Sequence, residues 1–532
     1  MHKRSVAVFI LYLVSMALAV GRIATISGDS RILAAQDQGT IALTVDRPRG
    51  VIYDCYLRPL TGAEIEYMAV LTPTEAVRKE IERCFQEEAR REDLKKRLNQ
   101  GMPFTALVPS DFSAEGAYIF AVQKRYSHDQ IAAHIIGYID RSSNKGITGV
   151  ELGYEKVLNK IEPVSIRFAK NAMGHIYDGV QPVITRSDGD KAGVALTIDS
   201  RIQGVAEEAA KSTFERGAIV VMECETGKIR AMVSLPSYSP DDVAAALDQP
   251  LSPLINRAIT PYNVGSVYKL CVAAAALENG YGDFVHTCSS SVTLGVNTFR
   301  CAGGRAHGVI DLEQALEVSC NTYFIMLGQK LGAEKIYNMS RLFGFGQPQS
   351  LGGGIFSKEG SLPDLSRLST QPATLANISF GQGDLLLTPL NIACMTAAIA
   401  QNGKCPSPTL IEGEVSSEGQ LVPDGYVTPA ISVMNATTAA TLRSFMINVV
   451  ETGTGTKAKP ELLGAGGKTG TAQTGWIENG KPVEQAWFCG FYPAQAPKYV
   501  IVAMAENGRS GGSTTAPIFK QIADALYEEI DR

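Results

Sequence analysis

Two β-branched runs at residues 217–224 and 229–235, joined by the turn Glu225-Thr226-Gly227-Lys228, lie far ahead of three more strand-like segments at 467–473, 486–492 and 498–506. Helix-patterned chain fills the long interval, and a last helix is predicted over 516–531. Two strands, a helical block, three strands and a closing helix predict an α+β domain, an antiparallel sheet flanked by helices. Within the interval, residues 266–280 are Ala-rich, closed by Gly280 and apolar nearly all round, so this helix should be buried. Residues 311–318 and 322–331 read as two helices with a break at Ser319.

The texture changes near Gly193, which sets the expected domains: 1–26, 27–190 and 191–532. The first begins with the basic Met1-His2-Lys3-Arg4, followed by an apolar run from Ser5 to Gly21. As a helix that run would span roughly 26 Å, at the short end of what crosses a bilayer. The basic flank places the N-terminus in the cytoplasm and the remainder outside, predicting a single-pass protein of the cell membrane. Ala17-Leu18-Ala19 resembles a signal-peptide cleavage site, but the apolar run exceeds the usual signal-peptide core, which favours an uncleaved anchor. Residues 27–190 carry mixed charge, with one charged helix predicted over 74–100 behind the cap signal Thr72-Pro73-Thr74-Glu75. No catalytic constellation appears there, so its expected role is mechanical. The whole chain has 49 basic and 54 acidic residues, net charge −5, which excludes the basic footprint of a nucleic-acid binder.

Ten cysteines are many for an exported chain, where oxidation favours pairing. Cys288 and Cys301 sit symmetrically about Leu294-Gly295, so a hairpin with that two-residue turn would face them across its strands. Two unpaired thiols is the alternative. His286 and His307 flank the pair and also allow a zinc site, but the spacing matches no usual zinc pattern and no metal is expected. Cys271 and Cys394 lie in apolar helical stretches and read as core.

Three short motifs carry chemistry. In Ser266-Val267-Tyr268-Lys269, positions i and i+3 share a helix face, which brings the lysine amine to the serine hydroxyl. A serine needs a base to take its proton, and a lysine serves only when burial or a neighbouring cation depresses its pKa. Alone, this motif is better read as a capping serine and a solvated lysine. Ser319-Cys320-Asn321 sits at the predicted helix break, where Ser319 can relay a proton and Asn321 can hold Lys269 or a substrate amide. Helix capping by Asn321 is the bland alternative. Lys468-Thr469-Gly470-Thr471 falls on a predicted strand. There Lys468, Thr469 and Thr471 suit a substrate carboxylate, and the small Gly470 admits a neighbouring backbone. A glycine-rich turn with a surface lysine is the competing reading. The order and setting of all three together decide the matter, a set described for penicillin-binding proteins and class A β-lactamases.

With these residues in hand, the chain resembles a class B penicillin-binding protein, the monofunctional kind of septal or spore cell-wall synthesis. The resemblance extends to Arg49-Gly50-Val51-Ile52-Tyr53-Asp54, Gly149-Val150-Glu151, Gly381-Gln382-Gly383 with Leu387-Thr388-Pro389, and Trp487-Phe488-Cys489-Gly490-Phe491. It implies an N-terminal pedestal, dimerisation-like in kind, followed by a penicillin-binding domain. Ser266 would be the acylated nucleophile and Lys269 its base. Ser319 and Asn321 would complete the proton network, and Lys468, Thr469, Gly470 and Thr471 would bind the peptide carboxylate. The oxyanion hole would use the backbone N–H groups of Ser266 and Thr471. The implied substrates are D-alanyl-D-alanine stem peptides of peptidoglycan. β-Lactam antibiotics are the implied inhibitors, a polytopic glycan polymerase and other cell-wall machinery the implied partners, and no cofactor is implied. Two departures stand out: Val264-Gly265 where relatives often have Pro-Gly, and Cys55-Tyr56-Leu57 where they usually have R-N-G.

Rival readings share the motifs. A β-lactam hydrolase needs a fast deacylating base, and the 190 residues ahead of the domain argue against it. A scaffold with a dead site, acting through pedestal and anchor, is weighed against by the three intact motifs.

Overall fold

The structure is a computed structural model and describes residues 2–27, 39–171, 176–177, 179–186, 191–424, 429–478 and 480–530. Its chain divides into two compact units that interleave in sequence. The first comprises Met1–Arg49, Glu64–Lys124 and Ile161–Asp190, and the second Gly50–Ala63, Arg125–Lys160 and Lys191–Arg532. This is not the single cut expected near residue 190. The physical reason is strand pairing: Val51–Tyr53 runs parallel to Gly193–Ala195.

In the first unit, Glu64–Leu71 is the central strand between Phe104–Val108 and Ala117–Lys124. The predicted long helix is two helices, Glu75–Cys84 and Glu88–Leu98, with Phe85 extended between them. A straight helix over 74–100 would run roughly 40 Å in one direction. The break instead returns Leu94 and Leu98 to the same core as Val77 and Ile81. Thr74 caps the first helix by accepting from Val77 N–H, as its sequence signal indicates. Near the N-terminus, residues His2–Ser27 form one helix whose apolar side chains from Val8 to Val20 are exposed. Among the described residues, no helix is long and apolar enough to cross a membrane.

The second unit is built on a five-stranded antiparallel sheet. Its strands are β1 (Gly217–Glu223), β2 (Ile229–Leu235), β3 (Gly466–Glu478), β4 (Lys481–Tyr492) and β5 (Tyr499–Glu506). The spatial order is β2-β1-β5-β4-β3, so the N-terminal hairpin closes against the last strand. Alternate residues serve opposite faces. Val500, Val502 and Met504 face one helical layer, while Ile501 and Ala503 face another. Both faces are therefore covered, which is why these antiparallel strands read as unbroken apolar runs.

One face carries helices α1 (Ser200–Lys211) and α7 (Ala516–Ile530), whose Ala206, Ala210, Phe519 and Ile522 join Ile501 and Phe488. The other carries α2 (Lys269–Glu278), α3 (Leu312–Glu317), α4 (Asn321–Leu331), α5 (Pro389–Ala400) and α6 (Ala436–Glu451). Every residue of α2 from Lys269 to Ala276 is buried, as its all-round apolar sequence predicts. Gly280, at φ +74°, turns the chain after it.

The motif residues upstream of the sheet hold this unit together. Asp54, fully buried, accepts from Arg58 Nε at 2.6 Å and from Ser200 Oγ at 2.8 Å, and Arg58 reaches on to Asp199. Glu151, also fully buried, accepts from Arg125 Nε at 2.6 Å and Tyr126 Oη at 3.0 Å.

The cysteine hairpin differs from its expected register. Ser291–Leu294 pairs with Asn297–Arg300, so the turn is Gly295-Val296, with Gly295 at φ +60°. That shift puts Cys301 opposite Ser290, while Cys288 pairs in a separate ladder with Gly308. Both thiols are free.

Candidate active site

The first catalytic motif begins on a tight turn. Gly265–Tyr268 is a 3₁₀ turn that runs into α2, so the helix predicted over 266–280 opens one turn tighter than an α-helix. Gly265 has φ +58°, a conformation that disfavours any Cβ. A Cβ there would also stand 2.4 Å from the Thr471 carbonyl oxygen. The turn holding Ser266 thus lies backbone-to-backbone against β3, with Gly265 rather than the preceding Val264 making the approach possible. Gly470 serves the same closeness, since its Cβ would meet Val264 O and Val267 Cγ1 at 3.0 Å each. Trp487 Nε1 donates to Asn263 O at 2.8 Å and pins the chain just ahead of the turn. Ser266 itself is partly exposed.

Lys269 lies one turn further on and is fully buried. Its Nζ donates to Ser319 O and to Asn321 Oδ1, both at 2.8 Å, and lies 3.3 Å from Ser319 Oγ. Those acceptors are presented by the break between α3 and α4, where Ser319 adopts φ +56°. Helix α3 is fixed ahead of the break by a capping box, Asp311 accepting from Gln314 N–H. Asn321 Nδ2 donates to Arg300 O at 3.0 Å, which orients the amide oxygen toward Lys269.

Lys468 arrives from β3, opposite Cys489. It is fully buried and donates to Ser319 Oγ at 3.0 Å and to Thr469 O at 3.1 Å. Ser319 Oγ therefore stands between the two amines. The next residue, Thr469, shares a face of the strand with Thr471, and its hydroxyl bonds Thr454 Oγ1 at 2.8 Å. Thr471 is half-buried, its hydroxyl accepting from Gly511 N–H at 3.4 Å and its carbonyl from Gln382 Nε2 at 3.4 Å.

Burial and charge set the protonation of the two lysines. Desolvation pushes Lys269 well below its usual range, and the positive charge of Lys468 pushes the same way. Burial likewise lowers Lys468 to about 7. A neutral amine has two N–H groups and one lone pair. The two 2.8 Å acceptors take both N–H groups of Lys269, which leaves the lone pair for a hydroxyl proton. That is the requirement for a base beside a serine nucleophile.

The structure thus gathers Lys269, Ser319, Asn321 and Lys468 into one hydrogen-bonded group, with Ser266 and Thr471 joined across the Gly265 contact. Thr454 and Gly511 were not singled out by the sequence. Neither belongs to a motif, and their positions follow from chain packing around β3. Gln382 lies in the G-x-G segment, whose pattern gave no role for the middle residue.

Residues 217–524 match the penicillin binding protein transpeptidase domain. The chain is similar to a peptidoglycan D,D-transpeptidase PbpA of Mycolicibacterium smegmatis, 30% identical over 77% of this chain and 85% of that one. It is 28% identical to a peptidoglycan D,D-transpeptidase MrdA of Acinetobacter baumannii, over 75% of this chain and 65% of that one. Among solved structures, the D,D-transpeptidase domain of a peptidoglycan glycosyltransferase from Eggerthella lenta matches with a TM-score of 0.67 and 26% identity, over 91% of this chain and 99% of that one.

Proposed function

The chain belongs to the penicillin-binding protein transpeptidase family, and from that premise we propose that it is a class B peptidoglycan D,D-transpeptidase acting through an acyl-serine intermediate on Ser266. The single observation that carries this reading is the buried Lys269 amine, one helical turn after Ser266, hydrogen-bonded to Ser319 and Asn321 with no carboxylate among its hydrogen-bond partners.

Ser266 Oγ attacks the carbonyl of the penultimate D-alanine while Lys269 Nζ takes its proton. The oxyanion is met by the backbone N–H groups of Ser266 and Thr471, held together by the close packing at Gly265. Collapse expels the terminal D-alanine, whose amine receives its proton through Lys269 or Ser319. The amine of a second stem peptide then attacks the acyl carbonyl, the same groups accepting its proton and returning it to Ser266 Oγ as that oxygen leaves. Lys468, while protonated, and the Thr471 hydroxyl are suited to the substrate carboxylate. A β-lactam enters the same first step, but its leaving nitrogen stays tethered to the acyl group after the ring opens and blocks the approach of the second amine.

The N-terminal apolar run, flanked by basic residues, supports a single-pass anchor with the second unit outside the cell. Residues outside the catalytic unit would then serve as pedestal, and a polytopic glycan polymerase is the partner that the anchored arrangement suits. Protease protection of vesicles carrying the full chain tests the topology: cleavage of the catalytic unit from the cytoplasmic side would refute it.

Labelling with a fluorescent penicillin tests the chemistry. A stable adduct on the parent, absent from Ser266→Ala, is the expected result. An adduct that clears within seconds would mean a β-lactam hydrolase, and no adduct on a folded parent would mean a scaffold.

A further inference from the structure

Four side chains that the reaction does not use converge behind the Ser319 break. Cys288 ends the strand His286–Cys288, Cys301 follows the strand Asn297–Arg300, and His307 precedes the strand Gly308–Ile310. Cys320 stands between Ser319 and Asn321. Their ligand atoms all lie within 4.8 Å of one another. Sγ of Cys301 is 3.7 Å from Sγ of Cys288 and 3.7 Å from Sγ of Cys320, and Cys288 Sγ is 3.3 Å from His307 Nδ1. All three thiols are buried and the imidazole is half-buried.

These separations do not suit disulfides. A disulfide requires about 2.05 Å between sulfurs. A tetrahedral zinc ion, with Zn–S near ~2.3 Å and Zn–N near ~2.0 Å, sets sulfur–sulfur edges at roughly 3.8 Å and sulfur–nitrogen edges at roughly 3.5 Å. We propose that Cys288, Cys301, His307 and Cys320 bind one structural zinc ion, in a closed site of three thiolates and one imidazole.

The surroundings favour thiolates. Tyr323 N–H donates to Cys320 Sγ at 3.4 Å, and the Thr322 hydroxyl lies 3.4 Å from Cys320 Sγ and 3.8 Å from Cys301 Sγ. Cys320 is the N-cap of α4, where the helix dipole favours negative charge. Four protein ligands leave no open position for substrate, so the ion is not a catalytic one. No paired cysteines at short spacing announce the site in sequence, because each ligand comes from the end of a different element.

The site has a consequence for the reaction. Asn321 receives Lys269 and donates to Arg300 O. Cys301 is the neighbour of Arg300, and Cys320 separates Ser319 from Asn321. A zinc ion joining Cys301 to Cys320 would clamp both sides of the Asn321 bridge, giving these ligands a positioning role for Lys269.

Elemental analysis of the full chain purified with zinc should find one zinc per chain, equally in Ser266→Ala, whose metal content is independent of acyl-enzyme chemistry. Replacement by cobalt should give the sulfur-to-cobalt charge-transfer absorption of a tetrahedral thiolate site, absent from Cys301→Ser. Thr322→Val should keep one zinc per chain but weaken its affinity about 10–100-fold. Chelation should slow acylation by fluorescent penicillin several-fold, with zinc restoring it. A folded parent without zinc and without the cobalt spectrum, or a mass showing Cys288 bonded to Cys301, would overturn the site. Unchanged acylation after verified zinc loss would overturn the positioning role.

Discussion

Glu151 and Lys269 are both fully buried ionisable side chains of the second unit, and their surroundings differ in one respect. Glu151 has a cation at 2.6 Å, Arg125, and Asp54 likewise has Arg58 at 2.6 Å. Among the described residues, no carboxylate lies within ion-pair distance of Lys269 or Lys468. Their partners are carbonyl, amide and hydroxyl groups. A buried charge without a counter-charge is costly enough that the group gives up its proton instead. One set consists of ion pairs, which tie residues 50–63 to Asp199 and close the segment 125–160 on itself. The other sheds charge and keeps an amine basic yet neutral next to a serine. The difference teaches which buried polar group is structural and which is chemical, without reference to any motif.

The largest expected effect separates the two at once. Lys269→Met should slow acylation by penicillin about 10²–10⁴-fold, the usual worth of a positioned base. Its melting temperature should hold or rise, because an apolar side chain replaces a buried amine. Loss of stability with acylation intact would reverse the assignment. Glu151→Ala should do the opposite. Removing one partner of a buried pair costs about 3–5 kcal/mol, read from denaturant unfolding. Acylation per folded molecule should be unchanged.

These contrasts were unequally legible in the sequence. The five strands were, since unbroken apolar runs and the Glu225–Lys228 turn announce them locally. So was the break at Ser319, because two helical patterns stop on either side of it. The interleaving of the units was not: Val51–Tyr53 is a three-residue strand whose partner lies far along the chain. Nor was the division of residues 74–100, where charged residues conceal that Phe85 leaves the helix to pack against Phe112. The motif lysines could be named from spacing, yet only the fold shows that Ser319 Oγ stands between them and that the Thr469 hydroxyl bonds Thr454. The cysteine group was hidden by one residue of hairpin register, which Gly295 decides by adopting φ +60°.

A pH profile sharpens the contrast on the chemical side. Both lysines have depressed pKa values, so each is neutral at lower pH than usual. Lys269 works as a base only when neutral, which gives acylation a rising limb as pH increases through its lowered value. Lys468 attracts a carboxylate only when charged, which gives a falling limb as pH rises through about 7 in the free enzyme. On each limb the second-order rate should change by up to about tenfold per pH unit. Lys468→Arg retains the charge and should remove the falling limb. A flat profile from acid to alkaline pH would mean that neither amine titrates in the working range.

The smallest expected effect asks how firmly the chemical cluster is held. Asp311 caps α3, the helix that ends at Ser319, and accepts from Gln314 N–H at 2.9 Å. Asp311→Ala should cost about 1 kcal/mol of stability, as loss of an N-cap does. If Ser319 is positioned by its own contacts to Lys269 and Lys468, acylation should stay within twofold of the parent. A fall comparable to that of Lys269→Met would instead show that the left-handed conformation at Ser319 depends on the helix before it. The neutral cluster would then have to be regarded as poised by backbone strain as well as by burial.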